Sequence, residues 1–279
     1  MNNLDPRKHL ILVDGSGYIF RAYHALPPLK KSDGTPTGAV SGYCNMLFKL
    51  VNEIKEFEAT HIAVVFDHKD KTFRTDIYKD YKANRPPPPE DLVPQFQLIR
   101  EATEAFGFFA IDKKGYEADD IIATLAQNAA EEGATVTIFS SDKDLMQLVS
   151  NNIKMYDPIR NIFIDIEKVK EKFGVTPDKV IDVQALIGDK IDNVPGVPGI
   201  GVKTASSLIS EFKNVETLVE KYTAINKERI KTLISNNIEN IVLSKKLVTL
   251  HKKVEIKIAI GDLEPVSYTH LTLPTIYSV

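Results

Sequence analysis

The 279-residue chain has one cysteine, no tryptophan and only six histidines. A lone Cys44 excludes a disulfide framework and suits a reducing compartment. No Cys/His spacing supports a zinc site. No run approaches the ~20 apolar residues of a membrane span, and Met1 to Leu10 lacks the apolar stretch of an export signal, so a cytoplasmic location is expected. Charge of one sign is lacking too: 35 Lys+Arg stand against 38 Asp+Glu, a net −3. With 43% hydrophobic and 26% charged residues, disordered, collagen-like and coiled-coil chains are excluded. The length suits one large domain, or a domain with a smaller companion.

What is present is an alternation. Residues 9–15 (His-Leu-Ile-Leu-Val-Asp-Gly), 60–67 (Thr-His-Ile-Ala-Val-Val-Phe-Asp) and 134–142 (Ala-Thr-Val-Thr-Ile-Phe-Ser-Ser-Asp) are short apolar runs that each end in an acid. Short, Val/Ile-rich and without polar alternation, they predict strands buried on both faces. Helical patterns lie between them over about 39–57, 90–106 and 117–132. Strand–helix alternation predicts an α/β fold, a parallel sheet flanked by helices. A hairpin is expected over 153–165, and several helices from 175 to about 250. This divides the chain into an α/β core over 8–175, with a basic segment at about 69–89, and a helical subdomain over 176–265. Residues 266–279 carry no Asp, Glu, Lys or Arg and read as a non-native tail, the alternative being an edge strand.

The acids occupy unusual places. Asp14 and Asp67 end apolar strands, and Glu117, Asp119 and Asp120 open a helix. Asp142 and Asp144 follow the third strand. Asp189 and Asp192 sit in Gly-Asp-Lys-Ile-Asp-Asn after the apolar helix 180–187. Singly, each has a plain explanation: acids favour helix N-termini, and Asp142 could cap a helix. Together they would repel one another at one sheet edge unless cations held them, and hard oxygen donors suit Mg²⁺ or Mn²⁺. A haloacid-dehalogenase-type phosphatase would need a second Asp two residues after Asp14, where Ser16 stands. A P-loop is excluded because Val202 separates Gly201 from Lys203.

Setting the nine clustered acids aside leaves a surplus of six positive charges. Lys69 to Arg85 holds six basic residues and three acids, with Phe73, Tyr78 and Tyr81 interleaved. Lys79, Lys82 and Arg85, three apart, would be neighbours on a helix. Cations beside aromatic rings suit a nucleic-acid strand, although a solvated basic helix would read alike. The turn Gly196-Val-Pro-Gly199-Ile-Gly201-Val-Lys203-Thr204 reads as a hairpin between helices whose free N–H groups would bind phosphate, the alternative being a plain helix–helix turn.

These motifs, in this order, resemble the 5′-nuclease domain at the N-terminus of bacterial DNA polymerase I, within the flap-endonuclease superfamily. The resemblance covers about 8–250 and rests on Leu-Val-Asp14-Gly-Ser, Phe-Arg21-Ala-Tyr-His, Val-Phe-Asp67, Tyr81-Lys82-Ala-Asn-Arg85-Pro, Glu117-Ala-Asp119-Asp120, Ser-Asp142-Lys-Asp144-Leu and Gly-Asp189-Lys-Ile-Asp192-Asn. It implies a PIN-like nuclease that removes 5′ flaps and 5′ nucleotides from branched or nicked DNA with two divalent metals, in replication and repair. By that resemblance Asp14, Asp67, Glu117 and Asp119 serve one metal. Asp142, Asp144 and Asp192 serve the other, with Asp119 shared, and Asp120 and Asp189 lie further out. Lys82, Arg85 and Arg21 bear on the scissile phosphate. Lys79 and Tyr81 belong to a helical arch that grips the strand. Gly196, Gly199, Gly201, Lys203 and Thr204 hold duplex, with K⁺ at the turn. A monomer is expected, natively fused to a polymerase or free-standing. Two alternatives stay open: another PIN-type metal nuclease, and a non-catalytic DNA-junction binder.

Overall fold

In the computed structural model, which describes residues 8–264, six strands form one sheet in the order β3-β2-β1-β4-β5-β6. The elements run β1 (His9–Asp14), α1 (Gly15–Ala25), α2 (Gly38–Glu56), β2 (His61–Val65), α3 (Phe73–Ile77), α4 (Gln95–Ala105), β3 (Phe109–Ile111), α5 (Ala118–Glu131), β4 (Thr135–Phe139), β5 (Ile153–Asp157), β6 (Ile162–Ile164) and α6 (Ile166–Phe173). The helical part continues with α7 (Val180–Ile187), α8 (Val202–Phe212), α9 (Val215–Glu220), α10 (Glu228–Ser235) and α11 (Ile238–Val248). All strand pairs are parallel except β5–β6, the expected hairpin. The tail at 266–279 lies outside the described residues. Among the described residues no helix is long and apolar enough to cross a membrane.

The two-residue side-chain period of a strand sorts the core. Leu10 and Leu12 of β1 join a cluster with Ala63 and Val65 of β2, Val136 and Ile138 of β4, and α5. Ile11 and Val13 face the other way, with Ile62, Val64, α1, α2 and α4. The sheet is thus covered on both sides, which is why its strands carry no polar alternation. The first cluster runs on through Val183, Leu186, Ile200, Leu208 and Phe212. The helical part therefore shares the core of the α5 face.

Chain order places the ligand crevice. From β1 the chain moves outward through β2 to β3, then crosses back to β4 on β1's other side. The carboxyl ends of β1 and β4 flank this switch point, where open α/β sheets bind ligands.

The loop between α7 and α8 is held by a close backbone approach. Gly188 and Gly196 both have positive φ, 67° and 55°. A Cβ on Gly196 would lie 2.4 Å from Gly188 N and 2.7 Å from its Cα, while Gly196 N–H donates to Ser244 Oγ at 2.8 Å. Backbone cannot move aside as a side chain can. Gly196→Ala is expected to cost about 2–4 kcal/mol, from overpacking and an unfavourable φ, and so lower Tm by on the order of 10 °C. Thermal unfolding followed by circular dichroism checks this.

Candidate active site

The acids are fixed by backbone amides and hydroxyls rather than by one another. Asp14, the last residue of β1, accepts from Gly17 N–H at 2.9 Å and from the Ser140 hydroxyl at 2.8 Å. Asp67, just past β2, accepts from the Ser16 hydroxyl at 2.7 Å and from Ala118 N–H at 2.8 Å. One carboxylate thus ties β2 to both α1 and α5. Asp142 accepts from Asp144 N–H at 2.8 Å, and its own N–H donates to Ser140 Oγ at 3.0 Å. Ser140 in turn bridges the ends of β1 and β4.

Electrostatics shows how crowded the group is. Burial pushes the Asp14 carboxyl up to about 6, helped by Asp67 and Asp142. Burial and then Asp142 push Asp144 up to about 7. Asp119 is driven well above the usual carboxylate range by burial, then by Asp142, Asp14 and Asp67. Like charges this near, partly desolvated, oppose ionisation. Among the described residues no three acids close on one point as a ready cage. Repulsion and the anchoring amides hold them apart.

At the start of α5 the capping reading and the site reading apply to different residues. Asp120 accepts Glu117 N–H at 3.2 Å and is fully buried. Its oxygens also take Arg74 Nη1 and Nη2, each at 2.7 Å, and His251 N–H at 2.8 Å. With both oxygens so filled it has no capacity for a cation. The expectation of Asp120 as a metal-site acid is corrected to a structural ion pair. Asp119, one residue earlier, is the one beside Asp14, Asp67 and Asp142.

Arg74, not singled out from the sequence, is 1% exposed. Besides Asp120 it reaches Glu117 at 3.5 Å, Leu247 O at 2.8 Å and Thr249 O at 3.2 Å. It ties the basic segment and the acidic helix start to the end of α11. The largely apolar stretch Ile121–Ala126 directly after Asp120 was the available signal that a cation had to come to this acid.

The basic segment differs from the helix expected. Only Phe73–Ile77 is helical. Beyond it successive turns carry the chain, and Lys82 has φ +55°. Turn hydrogen bonds from Ala83 to Asp80 and from Arg85 to Lys82 set the path. Ion pairs bring the cations together instead: Lys82 Nζ lies 2.9 Å from Glu117 and 3.8 Å from Asp192, and Arg85 binds Asp192 through Nε at 3.0 Å and through Nη2. Burial opposes the charge on Lys82, but Glu117, Tyr81, Asp192 and Asp119 outweigh it and raise its pKa. Tyr81 is 8% exposed and donates to Glu117 Oε2 at 3.1 Å. Its ring is inside the fold, so the expectation that it meets nucleic acid is corrected. Lys79 and Arg21 are exposed, the latter on α1.

Asp189 pairs with Lys143, a residue within Ser-Asp142-Lys-Asp144 whose importance the acids masked. Burial opposes the Asp189 charge, yet Lys143 and Ile191 N–H hold its carboxyl below the usual range. In the glycine-rich turn, Gly196 is buried against Gly188, so a DNA contact there is corrected to a packing role. Gly199 and Gly201 are exposed, Gly201 caps the eleven-residue α8, Lys203 is exposed, and Thr204 is half-buried in the first turn.

An acid-edged parallel sheet, bridged by cations and backed by a helical unit, is the framework of a nuclease. Residues 9–174 match the family described as 5′-3′ exonuclease, N-terminal resolvase-like domain, and residues 175–270 match its C-terminal SAM fold. The chain belongs to the 5′-3′ exonuclease family, whose members are hydrolases. DNA polymerase I of Rhizobium leguminosarum is 54% identical over 260 residues, which cover 91% of this chain and 26% of that one. The chain thus spans about a quarter of that relative's length. A 5′-3′ exonuclease of Aquifex aeolicus (strain VF5) is 41% identical over 259 residues, covering 92% and 86%. The flap endonuclease of bacteriophage T5, solved with DNA and metal ions, superimposes with a TM-score of 0.74 at 24% identity over 88% of this chain and 90% of that one.

Proposed function

We propose that this chain is a structure-specific 5′ nuclease that hydrolyses DNA phosphodiester bonds with two divalent cations and removes 5′ flaps and 5′ nucleotides. The observation that carries the reading is the cleft at the switch point. Carboxylates from the ends of β1, β2 and β4, from α5 and from the α7–α8 loop line it, with Lys82 on Glu117 and Arg85 on Asp192. An acid-lined site repels a phosphodiester; one with added cations attracts it.

The donor set fits that requirement. It is oxygen only, it carries more negative charge than Lys82 and Arg85 neutralise, and three of its carboxyls are pushed up by burial and then by neighbouring carboxylates, as suits Mg²⁺ or Mn²⁺. Asp14, Asp67, Glu117 and Asp119 would hold one cation, and Asp142, Asp144 and Asp192 the other. When bound, such a pair supplies an activated water and neutralises charge on the leaving oxygen. Lys82 and Arg85 add fixed positive charge toward the attacked phosphate. The exposed turn Gly199–Gly201 with Lys203 offers the N–H groups of α8 to a duplex backbone without reading sequence.

Lys82→Ala is expected to lower turnover on a 5′-labelled flap duplex by on the order of 10²–10³, with affinity changing by less than about 3-fold. Equal losses in turnover and affinity would make Lys82 a binding residue only. The reading as a whole is tested by Mg²⁺-dependent release of short 5′ products. Tight binding without cleavage in both Mg²⁺ and Mn²⁺ would favour a junction binder.

A further inference from the structure

We propose that Arg160 and Lys172 form a second phosphate-binding patch, on the β5–β6 side of the cleft, that holds a backbone phosphate of the bound strand beside the scissile one. The inference rests on the nuclease reading and adds to it two residues outside every motif that suggested it. A cleft of about 410 Å³ joins the acids to this region. The α7–α8 loop contributes Asp189, Ile191 and Asp192, the segment after β4 contributes Asp142, Lys143 and Asp144, and the hairpin and α6 contribute Asp157, Arg160 and Lys172.

The other cations of this cleft are matched: Arg85 by Asp192, and Lys143 by Asp189. Among the described residues Lys172 has no such partner, and Arg160 has only a longer contact to one carboxylate. The Lys172 ammonium lies 6.0 Å from the centroid of the Phe173 ring. Burial, then the nearby Arg160 and Lys143, hold its pKa below the usual lysine range against the pull of Asp142 and Asp144. Arg160 has a side chain 69% exposed, and its one carboxylate partner, Asp157, stands off at 3.5 Å. That Asp157 is 1% exposed and spends Oδ1 on Ile159 N–H at 2.9 Å and Arg160 N–H at 3.1 Å. Asp157 therefore fixes the loop that aims Arg160 and leaves most of the guanidinium's donors unused. Cations gathered with free donors beside a phosphodiester site suit a further anionic oxygen. β5 lies two strand spacings from β1, about 10 Å, so the phosphate taken there is a neighbour of the one attacked.

The test is the salt dependence of flap-duplex binding, measured in Ca²⁺, for wild type and Arg160→Gln/Lys172→Gln. Each phosphate contact contributes about 0.7–0.9 to the slope of log K against log[salt]. The double variant is expected to lose about 0.7–0.9 of that slope, one phosphate's worth, with KM raised on the order of 10-fold and kcat nearly unchanged, the reverse of Lys82→Ala. Arg160→Lys/Lys172→Arg should restore the slope. A control, Lys253→Gln/Lys257→Gln, removes the same charge from the exposed surface after α11 and should leave the slope alone. An unchanged slope in the first variant, or an equal loss in the control, overturns the patch while leaving the nuclease intact. Wild-type protein without salt-dependent DNA binding would overturn the nuclease reading and this inference with it.

Discussion

Asp142→Ala is expected to reduce cleavage of a 5′-flapped duplex by on the order of 10³ or more while leaving affinity for the same DNA in Ca²⁺ within about 3-fold. Asp142 is the sharpest acid to remove because the fold hardly needs it. It is exposed, and it accepts only the N–H of Asp144, two residues on. Yet it is the leading charge raising Asp119 and Asp144 after burial, so it sits between the two carboxylate groups. Its loss relieves repulsion, and thermal stability should hold or rise. Asp120→Ala is the contrast. It leaves Arg74 buried and uncompensated, a change of the kind that costs about 3–5 kcal/mol. Activity lost there should accompany a fallen Tm. Steady-state kinetics beside thermal melts separate the two acids, and cleavage retained in Asp142→Ala would remove the second carboxylate group from the reaction.

That contrast marks how far the sequence could be read. Apolar runs ending in acids were enough for β1, β2 and β4, because a strand buried on both faces carries its own composition. The hairpin at 153–164 and the helices α2 and α5 were legible from period and turns. The helix α1 was not: it opens on Gly-Ser-Gly, poor helix formers, and is held by the Asp14 cap and by packing on α2. β3 has three residues, too few to show a period. At the site, acid positions were readable but not which way each faces. Asp119 and Asp120 are adjacent, and an arginine 46 residues from Asp120 decides that one enters the core and the other the cleft. Lys82 and Arg85 were expected to meet on a helix. They meet instead through Glu117 and Asp192, because long-range ion pairs override a spacing argument that holds only within regular helix.

Without divalent cations, the protein should lose stability as pH rises from about 5 to 8. Folding raises the carboxyls of Asp14 to about 6 and Asp144 to about 7, each from an ordinary 3.8. Through that window the folded state binds more protons than the unfolded one, so the stability gained at low pH is lost as the carboxyls ionise. One pKa unit corresponds to about 1.4 kcal/mol. The two groups are half-buried and titrate against shared neighbours, so the combined effect is set at about 2 kcal/mol, or roughly 5 °C in Tm. Millimolar Mg²⁺ should reverse the trend, raising Tm at about pH 8 and doing little at about pH 5, where protons occupy the same oxygens. Asp14→Asn should melt higher than wild type in EDTA, flatten the pH slope and lose much of the Mg²⁺ gain. Differential scanning fluorimetry across the range is sufficient. A wild-type Tm in EDTA that climbs steadily from about pH 5 to 8 would mean that the cleft tolerates its charge unaided, and the case for cations at these carboxylates would lose its physical motive.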